Sequence, residues 1–270
     1  MRLRRLGWAG IELDAGGERL VVDHVLDPGI FKAFYGDPRD ELIAPDPGRA
    51  CAALLTHLHR DHADVAAIEV ALSSGGTVLR PSRRALESSL DEAATGEAEA
   101  ALAASPLKVR SCNVGDAFEL VPFSVIALFA FDGFGSPQVS WLIEADGERV
   151  IHGGDTLWHG AWWDVALAHG PIDIACLPAN GAAVSFPQWQ PAASVPAVMT
   201  AEQAVEAARA LRVRFLIPIH YNCTFEHPEY YRPTADVRER IDAAAAKRGV
   251  AVRFLDPGDW IDVGLGAERT

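Results

Sequence analysis

Cysteine is scarce and scattered. Four occur in 270 residues, Cys51, Cys112, Cys176 and Cys223, and no two form a C-x-x-C pair. That spacing argues against a thiolate zinc site and against a disulfide framework, and suits buried free thiols. Long apolar runs are missing too. None approaches the roughly 18 to 20 unbroken apolar residues that a membrane span needs. The basic start, MRLRRLGWAGIELDAGG, leads into no apolar core of secretory type. A cytoplasmic protein without a membrane span is therefore expected. Positive charge is in deficit: the formal net charge is −13. Such a field repels nucleic acid and anionic membranes, so neither is expected as a partner. Also absent are G-x-S-x-G, G-x-x-x-x-G-K-[ST] and H-E-x-x-H. The segment GFGSPQ is a glycine turn with no helix opening behind it, so it is no dinucleotide fingerprint. No repeat and no linker-like, low-complexity stretch divides the chain, which predicts a single domain over residues 1–270.

What is present is an apolar fraction of 49%, enough for a sizeable core, and an interleaving of strands and helices. GWAGIELDAGGERLVVDHVLD reads as a hairpin about Gly16-Gly17. RACAALLTH is a short continuous apolar run, as in a strand buried on both faces. DVAAIEVALSSGG has helical spacing and a glycine stop. SRRALESSLDEAATGEAEAALAA reads as one or two exposed helices. GDAFELVPFSVIALFAF and QVSWLIEADGERVIHGGD predict further strands, the second a hairpin about Asp146-Gly147. A helix at HGAWWDVALAHG and a strand at IDIACLPA follow, then a long loop. TAEQAVEAARALR and TADVRERIDAAAAKRG predict helices, and VRFLIPIHYN and VAVRFLD predict strands. Early hairpins followed by β/α alternation imply a layered α/β architecture, two sheets inside and helices outside.

Residues 54–64, LLTHLHRDHAD, carry the densest chemistry: three histidines and two aspartates within eight positions, behind an apolar run. In an extended segment, residues two apart point the same way, so His57 and His59 can aim at one ion while Leu58 packs inward. Asp61, His62 and Asp64 follow where the strand ends and a helix begins. Arg60 would point away, towards a salt bridge. Imidazole with carboxylate suits Zn, Mn or Fe.

In this order, His57-Leu-His59-Arg-Asp61-His62 behind an apolar strand resembles the signature of the metallo-β-lactamase superfamily. VIHGGDT resembles its later motif, whose aspartate, here Asp155, bridges two metals. LIPIHYN resembles the last histidine at a strand end, here His220. The opening hairpin resembles that family's N-terminal hairpin, with Asp23 where a supporting aspartate sits. The likeness runs over nearly the whole chain, and MTAEQAVEAARAL with IPIHY points within the superfamily to the branch of L-ascorbate-6-phosphate lactonases and related hydrolases. It implies a four-layer αββα sandwich with a site at one edge between the sheets. It also implies one or two divalent metal ions, Zn or Mn ahead of Fe.

One departure stands out. The family supplies another histidine between the first motif and the bridging aspartate, whereas residues 63–151 hold none. Asp132, in LFAFDGFGSPQVSWLIE, is the nearest ligand-capable group, and its other reading is a turn aspartate ahead of Gly133. A carboxylate there is a harder donor and favours Mn or Fe more than an all-histidine site does. His152 and His159 flank Asp155 and are further candidates, His159 as a catalytic group. His24 can face either way. The ligand sets implied are His57, His59 and Asp155, with Asp132 as a fourth, and Asp61, His62, Asp155 and His220, with Asp61 also handling a proton.

A metal-dependent hydrolase cleaving a small-molecule lactone, ester, amide or phosphodiester through a metal-activated hydroxide is the function expected. A catalytically weak metal binder and a di-iron redox protein are the alternatives, and a homo-oligomer stays open. Residues 27–48, with Phe31, Phe34 and Tyr35, and residues 180–200, with Phe186 and Trp189, are expected to frame the pocket. Tyr221 and Asn222 are expected to cap it. Trp158, Trp162 and Trp163 read as core ahead of substrate platform. Lys32, Arg60 and Arg232 are the cations on offer to a phosphate.

Overall fold

The fold is taken from a computed structural model that describes residues 1–29, 32, 41–83, 89–134, 137–186, 191–221 and 229–264. Phe31, Phe34, Tyr35, Trp189, Asn222 and Cys223 lie outside these.

The chain opens with β1 (Arg2–Gly7), β2 (Gly10–Ala15), β3 (Glu18–Val22) and β4 (Ala50–Leu54). Next come α1 (Val65–Ala71), β5 (Leu72–Pro81), α2 (Ser89–Ala104) and β6 (Lys108–Cys112). The second half begins with β7 (Ala117–Leu120), β8 (Phe123–Phe129), β9 (Val139–Ala145) and β10 (Glu148–His152), followed by α3 (Ala161–His169) and β11 (Ile174–Pro178). Then follow β12 (Ala183–Val184), α4 (Ala201–Leu211), β13 (Phe215–Ile219), β14 (Tyr231–Arg232), α5 (Val237–Arg248) and β15 (Trp260–Asp262). One sheet has the order β15-β1-β2-β3-β4-β5-β6, the other β13-β11-β10-β9-β8-β7, and β12 pairs with β14.

Three apolar clusters make these sheets into layers. Between the sheets, Ile11, Leu20, Val22 and Leu54 of the first face Val125, Trp141, Val150, Ile174 and Ile217 of the second. On the outer face of the first sheet, Val21, Ala53 and Val78 pack with Ile68 of α1 and Leu102 of α2. On the outer face of the second, Leu142, Ile151, Ala175 and Leu216 pack with Trp162 of α3, Val205 of α4 and Ile241 of α5. The result is the expected αββα sandwich. Strands β4, β10, β11 and β13 send alternate side chains into two different cores, which is why they read as unbroken apolar runs. Burying a Leu or Ile on either face contributes about 1.5–3 kcal/mol.

Both predicted glycine hairpins form. Gly16 and Gly17 have φ of +57° and +86°, and Asp146 and Gly147 have +55° and +75°, the left-handed pairs that two-residue hairpins require. At the start of α4, Thr200 and Gln203 close a capping box.

Several expectations need correction. The helix expected over 64–76 ends at Ala71. Leu72 is extended, and β5 runs through Ser73–Gly76 as a bulge, pairing Leu72 with Ala50 and Thr77 with Ala52. Gly75 and Gly76 therefore allow a bulge instead of stopping a helix. Residues 250–256 form a single bridge, Val252 to Leu216, where a strand was expected. β1 went unread because arginines occupy Arg2, Arg4 and Arg5. Arg5 is fully buried, with Nη1 donating to Leu255 O at 3.0 Å and Nη2 to Tyr221 O at 2.9 Å.

Candidate metal centre

Strands β8, β10, β11 and β13 run in one direction, and β3 and β4 are parallel to each other. Site residues follow the carboxyl ends of all six: Asp23 after β3, His57 to His62 after β4, Asp132 after β8, Asp155 after β10, Asn180 after β11 and His220 after β13. Side chains far apart in sequence thus meet at one edge of the sandwich. Strain accompanies the convergence. Trp8, Asp23 and His220 have φ of +47°, +46° and +57°, a region L-residues seldom occupy.

Two groups able to hold an ion result. Asp61, His62, Asp155 and His220 bring one ligand atom each to within 4.8 Å of one another, and so do His57, His59 and Asp132. A third such group, Asp23, His57 and His62, overlaps the others from behind. In the first group, Asp155 Oδ1 is 3.1 Å from His62 Nε2 and Asp155 Oδ2 is 3.1 Å from His220 Nε2. In the second, Asp132 Oδ2 is 3.5 Å from His59 Nδ1 and 3.7 Å from His57 Nε2. All seven side chains are buried.

His57, Asp61, His62 and His220 are held from behind and turn a partnerless atom forward. Thr56 Oγ1 donates to Asp23 Oδ2 at 2.6 Å, which spends its single proton. At 2.9 Å it must then accept from His57 Nδ1–H, so His57 Nε2 keeps its lone pair. His62 Nδ1 donates to the same Asp23 oxygen at 2.8 Å, which likewise frees Nε2. His220 Nδ1 faces Asn180 Oδ1 at 3.4 Å, and Asn180 Nδ2 donates to Tyr231 Oη at 2.8 Å. Trp8 Nε1 donates to Asp61 Oδ2 at 3.1 Å, and the Trp8 ring lies 3.9 Å from that of His220. Buried yet without a hydrogen-bond partner are His57 Nε2, Asp61 Oδ1, His62 Nε2, Asp155 Oδ1 and His220 Nε2. Where two of these sit 3.1 Å apart they lack hydrogen-bond direction, as atoms do that aim at a shared point between them. Buried, partnerless ring nitrogens on imidazoles anchored at the other nitrogen are what a bound cation requires, so the residues present fit a metal.

Electrostatics divides the two groups. Burial opposes the charged imidazole of His62, yet Asp155, Asp61 and Asp23 hold its pKa well above the usual histidine value. His220 is raised against burial by Asp155. Asp155 is held well below the usual carboxylate range, against burial, by His220 and His62, and Asp61 is lowered by His62 and His220. The other group is driven to neutrality: burial and the neighbouring histidines lower His57, and burial and Asp155 raise Asp132. Among the described residues the ion-pair partners of Asp61, Asp132 and Asp155 are histidines.

Gly154, at φ +61°, lets the Asp155 loop pass Thr56. A Cβ there would lie 2.6 Å from Thr56 Cβ. His152 is used on both nitrogens, Nε2 to Ala9 O at 2.8 Å and Nδ1 from Gly154 N at 3.2 Å, so it braces the loop. His159 stands outside the three groups, stacked on Trp162 at 4.2 Å and edge-on to Phe129 at 5.0 Å. Its two ring nitrogens are buried without partners, and burial lowers its pKa to about 4. His24 is also lowered to about 4 by burial.

Arg60 turns away as expected, to Glu97 at 3.0 Å and Asp64 at 3.4 Å. Lys32 pairs with Asp27 and Arg232 reaches Ser185. Phe186 is buried in the central core and Tyr221 is 1% exposed beneath the Arg5 guanidinium, so neither forms a rim. Trp162 is core, whereas Trp158 and Trp163 are partly exposed and pack edge to face. Trp8, Thr56, Gln138 and Asn180 escaped the sequence reading. Only a position beside a strand end marked them.

A layered sandwich gathering such donors at one edge is the architecture of the metallo-β-lactamase superfamily, and known proteins give the same class, metal-dependent hydrolases. The family model described as a beta-lactamase superfamily domain matches residues 18–221, and the chain belongs to that family. It is similar to a UPF0173 metal-dependent hydrolase of Carboxydothermus hydrogenoformans, 27% identical over 270 residues, 97% of this chain and 99% of that protein. Among solved structures it is similar to Igni18, a metallo hydrolase from Ignicoccus hospitalis, with TM-score 0.64, 19% identity and coverage of 96% and 97%. It also resembles CmlA, a diiron β-hydroxylase from Streptomyces venezuelae, with TM-score 0.69 and 18% identity, covering 96% of this chain and 53% of that one. Among the described residues no helix is long and apolar enough to cross a membrane.

Proposed function

We propose that this chain hydrolyses a lactone, ester, amide or phosphodiester at a centre of two divalent ions, manganese or zinc. The reading takes His57, His59 and Asp132 as donors to one ion, Asp61, His62 and His220 as donors to the other, and Asp155 as the bridge. A bound divalent ion polarises the scissile carbonyl or phosphoryl group and brings the pKa of water towards about 7. The chain's own residues do the rest. Thr56, Asp23 and Asn180 fix the imidazoles of His57, His62 and His220 with Nε2 forward. Asp61, held by Trp8 through Oδ2, presents a free Oδ1 that orients the attacking water and accepts its proton. His159, neutral and with unpaired nitrogens, belongs to no donor group and is assigned to substrate contact instead of metal binding. The observation carrying the proposal is the set of buried, partnerless nitrogen and oxygen atoms converging from the ends of β4, β10 and β13. The resemblance of MTAEQAVEAARAL and IPIHY to the lactonase-like branch makes a lactone the first substrate to try.

The test is a panel of chromogenic esters, lactones and phosphodiesters offered to the purified chain. Turnover abolished by chelation and restored by Mn or Zn is expected. A folded chain that retains no ion overturns the proposal.

A second reading has its own observation. Three carboxylates, Asp61, Asp132 and Asp155, stand among the seven donors, a harder set than histidine-rich sites provide. Such a set suits iron, and a diiron enzyme shares the fold. An iron-dependent optical band with oxygen consumption, and no turnover on the panel, would favour redox chemistry over hydrolysis.

A further inference from the structure

We infer that Gln138 is a positioning residue, one buried amide that ties the Asp132 carboxylate to the backbone of Asp155 and so sets the two halves of the centre relative to each other. The inference rests on reading Asp132 and Asp155 as metal ligands. Gln138 is 2% exposed and stands at the entry to β9. In the amide orientation that satisfies its neighbours, Nε2 donates to Asp132 Oδ2 at 3.3 Å, while Oε1 accepts from Asp155 N at 3.2 Å and Thr156 N at 2.9 Å. The reverse orientation would set the amide oxygen against a carboxylate and the amide nitrogen against two N–H groups, so the surroundings choose.

The two oxygens of Asp132 have different tasks. Oδ1 accepts from Phe134 N at 2.7 Å and closes the local turn. Oδ2 faces His57 and His59, and it is this oxygen that the Gln138 amide holds. Terminal rotation of a carboxylate is soft. Pinned at both oxygens, the Asp132 plane is fixed with one oxygen turned to the imidazoles. At its other end the amide grips the loop immediately behind Gly154, whose path past Thr56 aims Asp155. The pairing depends on chemistry at both positions: the amide donor meets an acceptor at 132, and a carboxylate at 138 would put two carboxylates in contact.

Two substitutions separate the ends of the amide. Gln138→Glu keeps an acceptor for Asp155 N and Thr156 N but loses the donor and sets a negative charge against Asp132. Gln138→Met loses both ends at similar volume. Metal-free protein is titrated with Mn2+, the ions counted by calorimetry and their proximity read by electron paramagnetic resonance, with a thermal melt to verify folding. Wild type is expected to take two ions with an exchange-coupled spectrum. Gln138→Glu is expected to keep one ion at wild-type affinity and bind the other about 10- to 100-fold more weakly, with the six-line spectrum of an isolated ion. Gln138→Met is expected to weaken both. Wild-type affinity for both ions in a folded variant overturns the inference. So does equal weakening of both ions by Gln138→Glu, the result that lost packing alone would give. Should the glutamate variant fail to fold, the methionine variant decides: unchanged binding rejects the role. A wild-type chain that binds no ion removes the reading beneath it as well, whereas two ions with indifferent variants removes this inference alone.

Discussion

Asp23 Oδ2 lies 2.8 Å from His62 Nδ1 and 2.6 Å from Thr56 Oγ1, so a single carboxylate oxygen orients two imidazoles, one directly and one through a hydroxyl. Asp23 Oδ1 also accepts from Thr56 N at 2.8 Å. Asp23→Ala should therefore weaken metal binding about 10- to 100-fold while also lowering stability. Each buried donor left unpaired costs about 1–3 kcal/mol. Metal content after dialysis and the melting temperature report the two effects. A variant that retains its ions as tightly as wild type would show that the imidazoles orient themselves.

The two donor groups predict different losses. Asp61→Ala and His220→Ala remove members of the charged group and should each reduce hydrolysis by about 100-fold or more. Asp132→Ala should release one ion and leave the other in place. Element analysis of the three variants separates these outcomes. Unchanged metal content in Asp132→Ala would return that residue to the role of a turn aspartate.

Metal binding and pH are linked through His62 and His220, whose pKa values lie above the ordinary 6.5 in the metal-free protein. A raised histidine adds stability that is fully present below about pH 6.5 and fades as pH climbs through its folded value. Asp155 and Asp61 are depressed, so their contribution is present above about pH 4 and is lost as pH falls through their folded values. From these four groups the metal-free chain is steadiest between about pH 4 and 6.5. A metal must displace the histidine protons, so its affinity rises with pH. Melting curves from pH 5 to 9 should show the metal-free form weakening as the loaded form holds, and calorimetry in two buffers of different ionisation enthalpy should show proton release. Binding that tightens on acidification would contradict the assignment.

Part of this was legible in the sequence for physical reasons. Periodicity two puts His57 and His59 on one face, and strands buried on both sides advertise themselves as apolar runs. Of the groups behind the ligands, Asp23 was marked by the family resemblance and the rest were not legible. Gln138 and Asn180 matter through contacts with residues distant in the chain, Asp132 and His220, which no local pattern encodes. Trp8 reads as one more aromatic until its indole meets Asp61. Tertiary packing also overrode local signals, as when β5 took Gly75 and Gly76 into a bulge. Arg5 hid a strand because a buried cation is rare.

His159 offers a separate test, because it belongs to none of the donor groups. With its pKa near 4 it is neutral across the physiological range. His159→Ala should leave metal content and the shape of the pH profile unchanged. If its nitrogens meet substrate, KM should rise several-fold with kcat less affected. A large fall in kcat with KM unchanged would place it at the reacting atoms instead, and indifference in both would leave it a packing residue between Phe129 and Trp162.

Gly154 carries the most local prediction. At φ +61° any L-residue costs about 1–2 kcal/mol. The added Cβ would also fall 2.6 Å from both Cβ and Oγ1 of Thr56, and overpacking of this kind costs about 1–3 kcal/mol more. Thr56 cannot yield freely, because its hydroxyl and backbone N–H are both committed to Asp23. The loop must give way, and with it Asp155, the proposed bridge. Gly154→Ala should therefore lose metal affinity beyond what its lowered melting temperature explains. A compensating Thr56→Ser, which removes the Cγ2 methyl lying 2.9 Å from the new Cβ but keeps the hydroxyl, should recover part of it. No recovery in the double variant would mean that the Cγ2 methyl does not set the position of Asp155, leaving the strained backbone and the closer Cβ and Oγ1 contacts, which serine retains.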